Sequence, residues 1–431
     1  MKGVIVSYFS QMQTFTAVFL AALALTTCLR LWLARRHTRH IASCRDQVPA
    51  EFTAHIGLAE HQKAADYSIA KTRLGMIDIL LGTALLLALT LAGALQALHD
   101  AWLRAFDAGS HAQGIALIFS VALISGVIDL PLALYRTFVI EARFGFNKMT
   151  LRLFFADLAK QTLLAAGLGL PLLACVLWLM QRMGAQWWLY VWVTWIAFNL
   201  LVLTLYPTLI APWFNKFTPL ADAGLKSRIE ALLAKCGFRA QGLYVMDSSR
   251  RSSHGNAYFT GFGAAKRIVL FDTLISRLAP AEIEAVLAHE LGHFRHHHVW
   301  KRMAALFALS LAFLWLLGYA MKQDWFYAGL NVQAHSTALA LMLFFLVVPV
   351  FTFLLHPLTS LYSRKHEYEA DAYAAQHALP ADLIRALVKL YQDNAATLTP
   401  DPVYSAFYDS HPPALARIAR LQAGAVRAQP A

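Results

Sequence analysis

His289 and His293 lie four residues apart, so on a helix they share one face, one turn from each other, with Glu290 beside the first. This is the H-E-x-x-H pattern in which two imidazoles hold a zinc ion and the carboxylate works on its water. A tetrahedral catalytic site needs a third protein ligand and leaves the fourth position to water. Glu367 stands out for that place. It lies on a predicted helix, Ser360 to His377, with Asp371 one turn on, and Ala370 and Ala374 keep that face slim enough for another helix to approach. Asp371 is then placed to accept the free ring N–H of a ligating histidine and set its tautomer. Without the histidine pair, the same two carboxylates would better suit an exposed acidic face.

The elements that must position these groups are mostly apolar. The chain has 431 residues, 58% of them hydrophobic and only 14% charged, with a mean hydropathy of +0.49. Soluble domains carry about 25% charged residues, so the composition describes a protein that crosses a lipid bilayer several times. Seven apolar stretches are long enough to span: about 15–34, 76–98, 115–135, 163–183, 187–209, 303–321 and 337–355. The net charge of +12 fits the positive-inside excess of cytoplasmic loops better than a nucleic-acid surface, since no basic stretch is interleaved with a recognisable nucleic-acid fold. Basic residues crowd the first loop (Arg35, Arg36, Arg39, Arg45) and the third (Arg136, Arg143, Lys148, Arg152), whereas the even loops offer Arg104, Arg182 and Lys322. The odd loops, and with them both halves of the candidate site, are therefore expected on the cytoplasmic side: of the inner membrane in a bacterium, of the endoplasmic reticulum in a eukaryote. Cys28, Cys44, Cys175 and Cys236 are too scattered for a disulfide framework or a thiolate metal site. Lys2 alone ahead of the first apolar stretch argues against a signal peptide.

Four regions follow: 1–213 with five spans, a soluble insert at 214–298, two more spans at 299–356, and a helical region at 357–431 that completes the site. The insert reads as a small α/β unit: a helix from Asp222 to Cys236 ended by Gly237, a strand at Gly242–Met246, and two more strands at 256–262 and 267–271. Pro280 opens the H-E-x-x-H helix, with Glu282 and Glu284 in its first turn. Asn256, Ala257 and Tyr258 begin a strand that, exposed at an edge beside the metal, would pair with an extended peptide, Asn256 adding a polar clamp; a plain hairpin is the alternative. The interleaved aromatic and basic residues of 136–160 suit a helix lying at the membrane interface or against another domain. Arg295 and the triplet His296, His297 and His298 close the zinc helix, where cations are favoured, and are expected to face solvent or lipid headgroups.

These segments resemble one family. His289-Glu290-Leu291-Gly292-His293, followed by Ser363 to Asp371, is similar to the type I CAAX prenyl endopeptidases, seven-helix membrane zinc proteases of the gluzincin kind. So are Glu141 to Lys148, Phe214 to Leu220, His254 to Gly261 and Ser410-His411-Pro412-Pro413, in family order. The resemblance implies a mainly α membrane protein, with about seven transmembrane helices surrounding a chamber and a small α/β zincin-like metalloprotease domain. It implies one zinc ion held by His289, His293 and Glu367, with Glu290 as the catalytic base. By resemblance His411 is the candidate donor to the oxyanion, with Arg417 near it; read alone, a histidine before a Pro-Pro turn suits a structural role. The expected substrate is a peptide or protein cut near its C-terminus, prenylated or similar in shape.

Three rivals can be weighed on the sequence. In an intramembrane protease the zinc helix would itself be a span, but Glu282, Glu284 and Arg295 bracket the motif too closely for that. A broader quality-control membrane protease would share the zinc site but not the matches in the first and third loops. A seven-span receptor or scaffold would leave Glu367, Asp371 and the histidine pair without a purpose.

Overall fold

The structure is a computed structural model that describes residues 2–260 and 267–428. Seven helical stretches are long and apolar enough to cross a membrane. In chain order the helices are α1 (Lys2–Ser43), α2 (Leu58–Leu89), α3 (Ala94–Trp102), α4 (His111–Tyr135), α5 (Leu151–Arg182), α6 (Trp187–Leu205) and α7 (Ala211–Phe214). The insert adds α8 (Ala223–Lys235), α9 (Asp272–Ile275) and α10 (Pro280–Arg295). Then come α11 (His298–Ala320), α12 (Asp324–Ala328), α13 (Thr337–Thr352), α14 (His356–His377), α15 (Pro380–Asp393), α16 (Pro402–Tyr408) and α17 (Ala414–Ala428).

The membrane bundle has its own core. Phe19, Leu117, Leu177, Leu317, Leu339 and Leu343 are buried in one cluster that draws on α1, α4, α5, α11 and α13. Large apolar side chains on the outer faces, among them Leu123, Val127, Leu163, Leu209 and Phe345, stay exposed, as they must where lipid rather than protein covers them. Between α4 and α5 lies a cavity of about 1140 Å³, largely apolar, with Asp157, Asn215 and Arg251 among its lining. His289, His293 and Glu367 do not line it.

A second core lies under the insert, where Ile229, Ile268, Leu270, Ile283, Leu287 and Leu291 pack with Tyr373 and Ala374 of α14 and Leu383 and Ala386 of α15. The sheet has four strands in the order β1-β2-β4-β3: β1 (Phe217–Pro219), β2 (Gly242–Met246), β3 (Ala257–Thr260) and β4 (Arg267–Phe271). Only β2 and β4 are parallel; β1 and β3 flank them antiparallel, with Tyr258 opposite Val269 and Phe259 opposite Ile268. Sequence reading placed β2, β4 and α8 within a residue or two but passed over β1, which is three residues long and ends in proline. The expected strand at 256–262 is observed from Ala257 to Thr260, and 261–266 lie outside the described residues.

Two features join insert and membrane. Helix α11, the sixth span, begins three residues after α10 ends, across a turn in which His297 takes a left-handed conformation (φ 56°). Helix α14 continues the seventh span without a break in helical structure, so that 337–377 form one 41-residue stretch. At 1.5 Å per residue that is roughly 60 Å, about twice the thickness of a bilayer's hydrocarbon. Its second half therefore extends beyond the lipid, and Glu367 lies in that half.

The segment at 136–160 differs from the amphipathic helix expected of it. It forms a π-helical turn at Arg136–Glu141, then a loop, then the start of α5. Phe144 and Phe146 pack on Tyr67 of α2, while Phe146 stacks on His254 at 4.7 Å.

Candidate metal centre

Helix α10 starts where its sequence says it should. Pro280 occupies the first turn, and the Glu282 carboxylate accepts the Ala279 backbone N–H at 2.7 Å, capping an end that otherwise leaves donors unpaired. Lys389 of α15 donates to the same carboxylate at 2.7 Å, which keeps buried Glu282 paired. The helix then buries Ile283, Leu287, Ala288 and Leu291 in the insert core, and this fixes its rotation so that His289 and His293 face α14.

Gly292 decides how close the two helices come. A Cβ built on it would stand 2.8 Å from the Ala370 Cα and 3.1 Å from the Tyr373 Cβ, distances that real Cβ contacts do not sustain or barely tolerate. The glycine inside the motif is thus a contact surface, and with Ala370 it brings the backbones of α10 and α14 together.

That approach brings the three candidate ligands to one point. His289 Nε2 is 3.5 Å from Glu367 Oε2, and His293 Nε2 is 3.4 Å from Glu367 Oε1. Ligand distances of about 2.0–2.1 Å around a tetrahedral ion give donor–donor edges of roughly 3.3–3.4 Å. Glu367 Oε2 is also buried without a hydrogen-bond partner, an arrangement that disfavours a carboxylate unless a cation occupies the space. The residues present therefore fit a divalent metal.

Behind the ligands, Asp371 Oδ1 accepts from His289 Nδ1 at 2.8 Å. This leaves His289 Nε2 bare toward Glu367, the tautomer that a metal requires. The Arg417 guanidinium grips Asp371 with two hydrogen bonds, 2.9 Å from Nε to Oδ2 and 2.6 Å from Nη2 to Oδ1. Its Nη1 lies 3.9 Å from Glu367 Oε2. Burial lowers the His289 pKa, but Asp371 and Glu367 outweigh it and raise it to about 9, so the metal-free cluster holds a proton. Burial pushes Glu290 up from the ordinary carboxylate value, and His289 and His293 oppose it.

His411 Nε2 reaches to 3.5 Å from Glu367 Oε1 with its side chain 65% exposed, on the open side of the cluster. Surrounding protein lowers its pKa despite that exposure, and Glu367 partly offsets the effect. Its Nδ1 is 3.1 Å from Ser410 Oγ.

Strand β3 forms one edge of the sheet and packs against α10. Asn256, just before it, is exposed, and its Oδ1 accepts the Ala257 N–H at 2.8 Å. Burial raises the Tyr258 pKa to about 12, keeping the phenol neutral. The approach to this strand is clamped from two sides. His254 Nδ1 is 3.0 Å from Asn394 Oδ1, which also accepts the Gly255 N–H. Asn147 bridges to Ser252, Lys148 N donates to the Arg251 carbonyl, and Arg251 makes a two-pronged ion pair to Asp157 of α5. The loop at 144–150 thus holds the strand in place, a role that its aromatic-basic pattern did not announce.

The histidine triplet needs a correction. His297 is exposed, but His298 is 1% exposed, because the left-handed turn at His297 swings it back under α10. Its Nδ1 is 2.9 Å from His293 Nδ1, and its Nε2 is 2.8 Å from Glu369 Oε2. Sequence reading missed both His298 and Glu369. A usable signal existed: a histidine at the first turn of a span has to be paired or face the interior.

Residues 37–216 match the family model described as the CAAX prenyl protease N-terminal region with five membrane helices, and residues 219–425 match peptidase family M48. The chain belongs to peptidase family M48. Its relatives include the CAAX prenyl protease 1 homolog of Arabidopsis thaliana, 40% identical over 307 residues that cover 70% of this chain and 72% of that one. CAAX prenyl protease 1 of Saccharomyces cerevisiae is 36% identical and 72% of each chain is covered. Among solved structures, the crystal structure of S. mikatae Ste24p superimposes with a TM-score of 0.87 at 31% identity, over 94% of this chain and 98% of that one. This M48 chain is accordingly a multi-span integral-membrane metalloendopeptidase of the CAAX prenyl protease type, acting on peptide substrates.

Proposed function

We propose that the M48 chain binds one zinc ion through His289, His293 and Glu367 and uses Glu290 as the general base in peptide hydrolysis. The observation that carries this reading is the donor triangle, with edges of 3.4 and 3.5 Å around a buried carboxylate oxygen that has no other partner. When bound, the ion supplies Lewis acidity that brings the pKa of a water toward about 7. Glu290, raised by burial toward the operating pH, accepts the proton and returns it to the leaving amine. His411, on the open side, offers a ring N–H to the oxyanion as charge develops. Asp371 holds His289 in its tautomer, and the two-pronged grip of Arg417 on Asp371 assigns the arginine to that support rather than to the oxyanion. The edge of β3, introduced by Asn256 with Ala257 and Tyr258, holds the substrate extended by main-chain pairing.

The substrate class is peptides cut near a C-terminus, CAAX-type prenylated ones included, and the names of the relatives support it. The excess of basic residues in the odd loops supports a cytoplasmic catalytic face. The test is mass spectrometry of the products from a mixed peptide pool, with and without prenylation, in detergent with zinc. Cleavage confined to C-terminal segments and enhanced by the lipid supports this reading. Equal internal cleavage of plain peptides would assign a broader membrane protease instead.

A further inference from the structure

The proposed metal ligand His293 has a partner of its own on the side away from the metal. His298 and Glu369 continue from it in line: Nδ1 to Nδ1 at 2.9 Å, then Nε2 to Oε2 at 2.8 Å. Proton counting fixes the direction of these bonds. Glu369 is an acceptor, so His298 Nε2 carries the hydrogen. A neutral His298 then has a bare Nδ1, which can only accept, so the hydrogen between the two rings belongs to His293 Nδ1. His293 Nε2, facing Glu367, is left with its lone pair free. We infer that His298 and Glu369 form a carboxylate–histidine relay that locks His293 in its metal-binding tautomer and orientation. They do for the second histidine, through one more ring, what Asp371 does for the first.

The surroundings hold this relay in place. His298 is almost fully buried, and His366 stacks on its ring with centroids 4.0 Å apart and planes 11° apart. The left-handed residue His297 returns the chain so that His298 meets a residue five positions earlier. The group His298, His366 and Glu369 has donor atoms within 4.8 Å of one another and could be taken for a second metal site. Its geometry argues otherwise. Both nitrogens of His298 are engaged, and His366 Nδ1 already accepts from Arg302 Nε at 3.3 Å. Near-parallel stacked rings also point their lone pairs alongside each other rather than at a common point.

This inference rests on His293 being a metal ligand, so the experiment separates the two claims. Zinc affinity is measured by chelator competition on the purified full chain in detergent, and the cobalt form is followed by its visible absorption. Loss of such an outer partner typically weakens metal binding about 10–100-fold, and His298→Phe is expected in that range with a shifted cobalt band. Glu369→Leu is expected to weaken zinc about tenfold, and Glu369→Gln, whose amide oxygen still accepts the ring N–H, to recover most of the loss. Wild-type affinity in both His298→Phe and Glu369→Leu, with metal lost in His293→Phe, would overturn the relay. Stoichiometric zinc in His293→Phe would instead overturn the ligand assignment beneath it. Should His298→Phe not fold, the two Glu369 variants decide alone: recovery by Gln supports the relay, and affinities equal to wild type refute it.

Discussion

Gly292→Ala adds one methyl group at the narrowest point between α10 and α14, and its effect can be worked out from the structure. The new Cβ would lie 2.8 Å from the Ala370 Cα, whereas ordinary contacts begin near 3.4 Å. The obstacle is backbone inside a helix, so no side chain can rotate away, and the helices must separate by about 0.6 Å, the difference between those two distances. Metal sites tolerate about 0.2 Å in ligand distance, so the third ligand would be pulled out of reach of the two histidines. Overpacking costs about 1–3 kcal/mol, while replacing glycine by alanine within a helix returns about 1 kcal/mol. The net loss of up to about 2 kcal/mol corresponds to as much as a thirtyfold weakening of metal binding, with cleavage falling at least as far. The assay is zinc content after dialysis against a graded chelator, paired with thermal unfolding. Gly424→Ala serves as control, because a Cβ there meets nothing within 4 Å. Unchanged zinc affinity in Gly292→Ala, with an unfolding temperature at or above wild type, would refute the close apposition and the reasoning built on it.

The raised pKa of His289, about 9 in the metal-free cluster, sets a pH dependence for metal uptake. Its value lies above the ordinary 6.5 because of Asp371 and Glu367, so the proton is bound below about pH 9 and must leave when zinc enters. Calorimetry in buffers of different ionisation enthalpy should find about one proton released per zinc at pH 7, with affinity rising about tenfold per pH unit and levelling off near pH 9. A pH-independent affinity would contradict this. Asn256→Ala should lower kcat/KM, about tenfold as an order of magnitude for one lost substrate hydrogen bond, with zinc content unchanged. Full activity would remove Asn256 from the substrate strand.

Much of the fold was legible because its signals are strong. Seven apolar stretches of span length, and a Pro-Glu start to the ligand helix, leave few alternatives. The metal cluster was legible in part. The histidine spacing determines one face of one helix, but Glu367 lies 74 residues beyond His293, and only the continuous helix from the seventh span explains how it returns. What the sequence hid depends on backbone conformation. The burial of His298 follows from one left-handed residue, His297. The clamp of Phe146, Asn147 and Asn394 on the segment before β3 joins parts of the chain more than 100 residues apart. The contact role of Gly292 is invisible until its neighbour Ala370 is known.

The central claim is that Glu367 completes a metal site whose water is worked on by Glu290, and zinc stoichiometry measured beside peptide cleavage tests it most directly. Glu290→Gln is expected to retain one zinc per chain and lose cleavage, while Glu367→Ala loses both. Cleavage at the wild-type rate in Glu290→Gln, or full zinc in Glu367→Ala, would contradict the account.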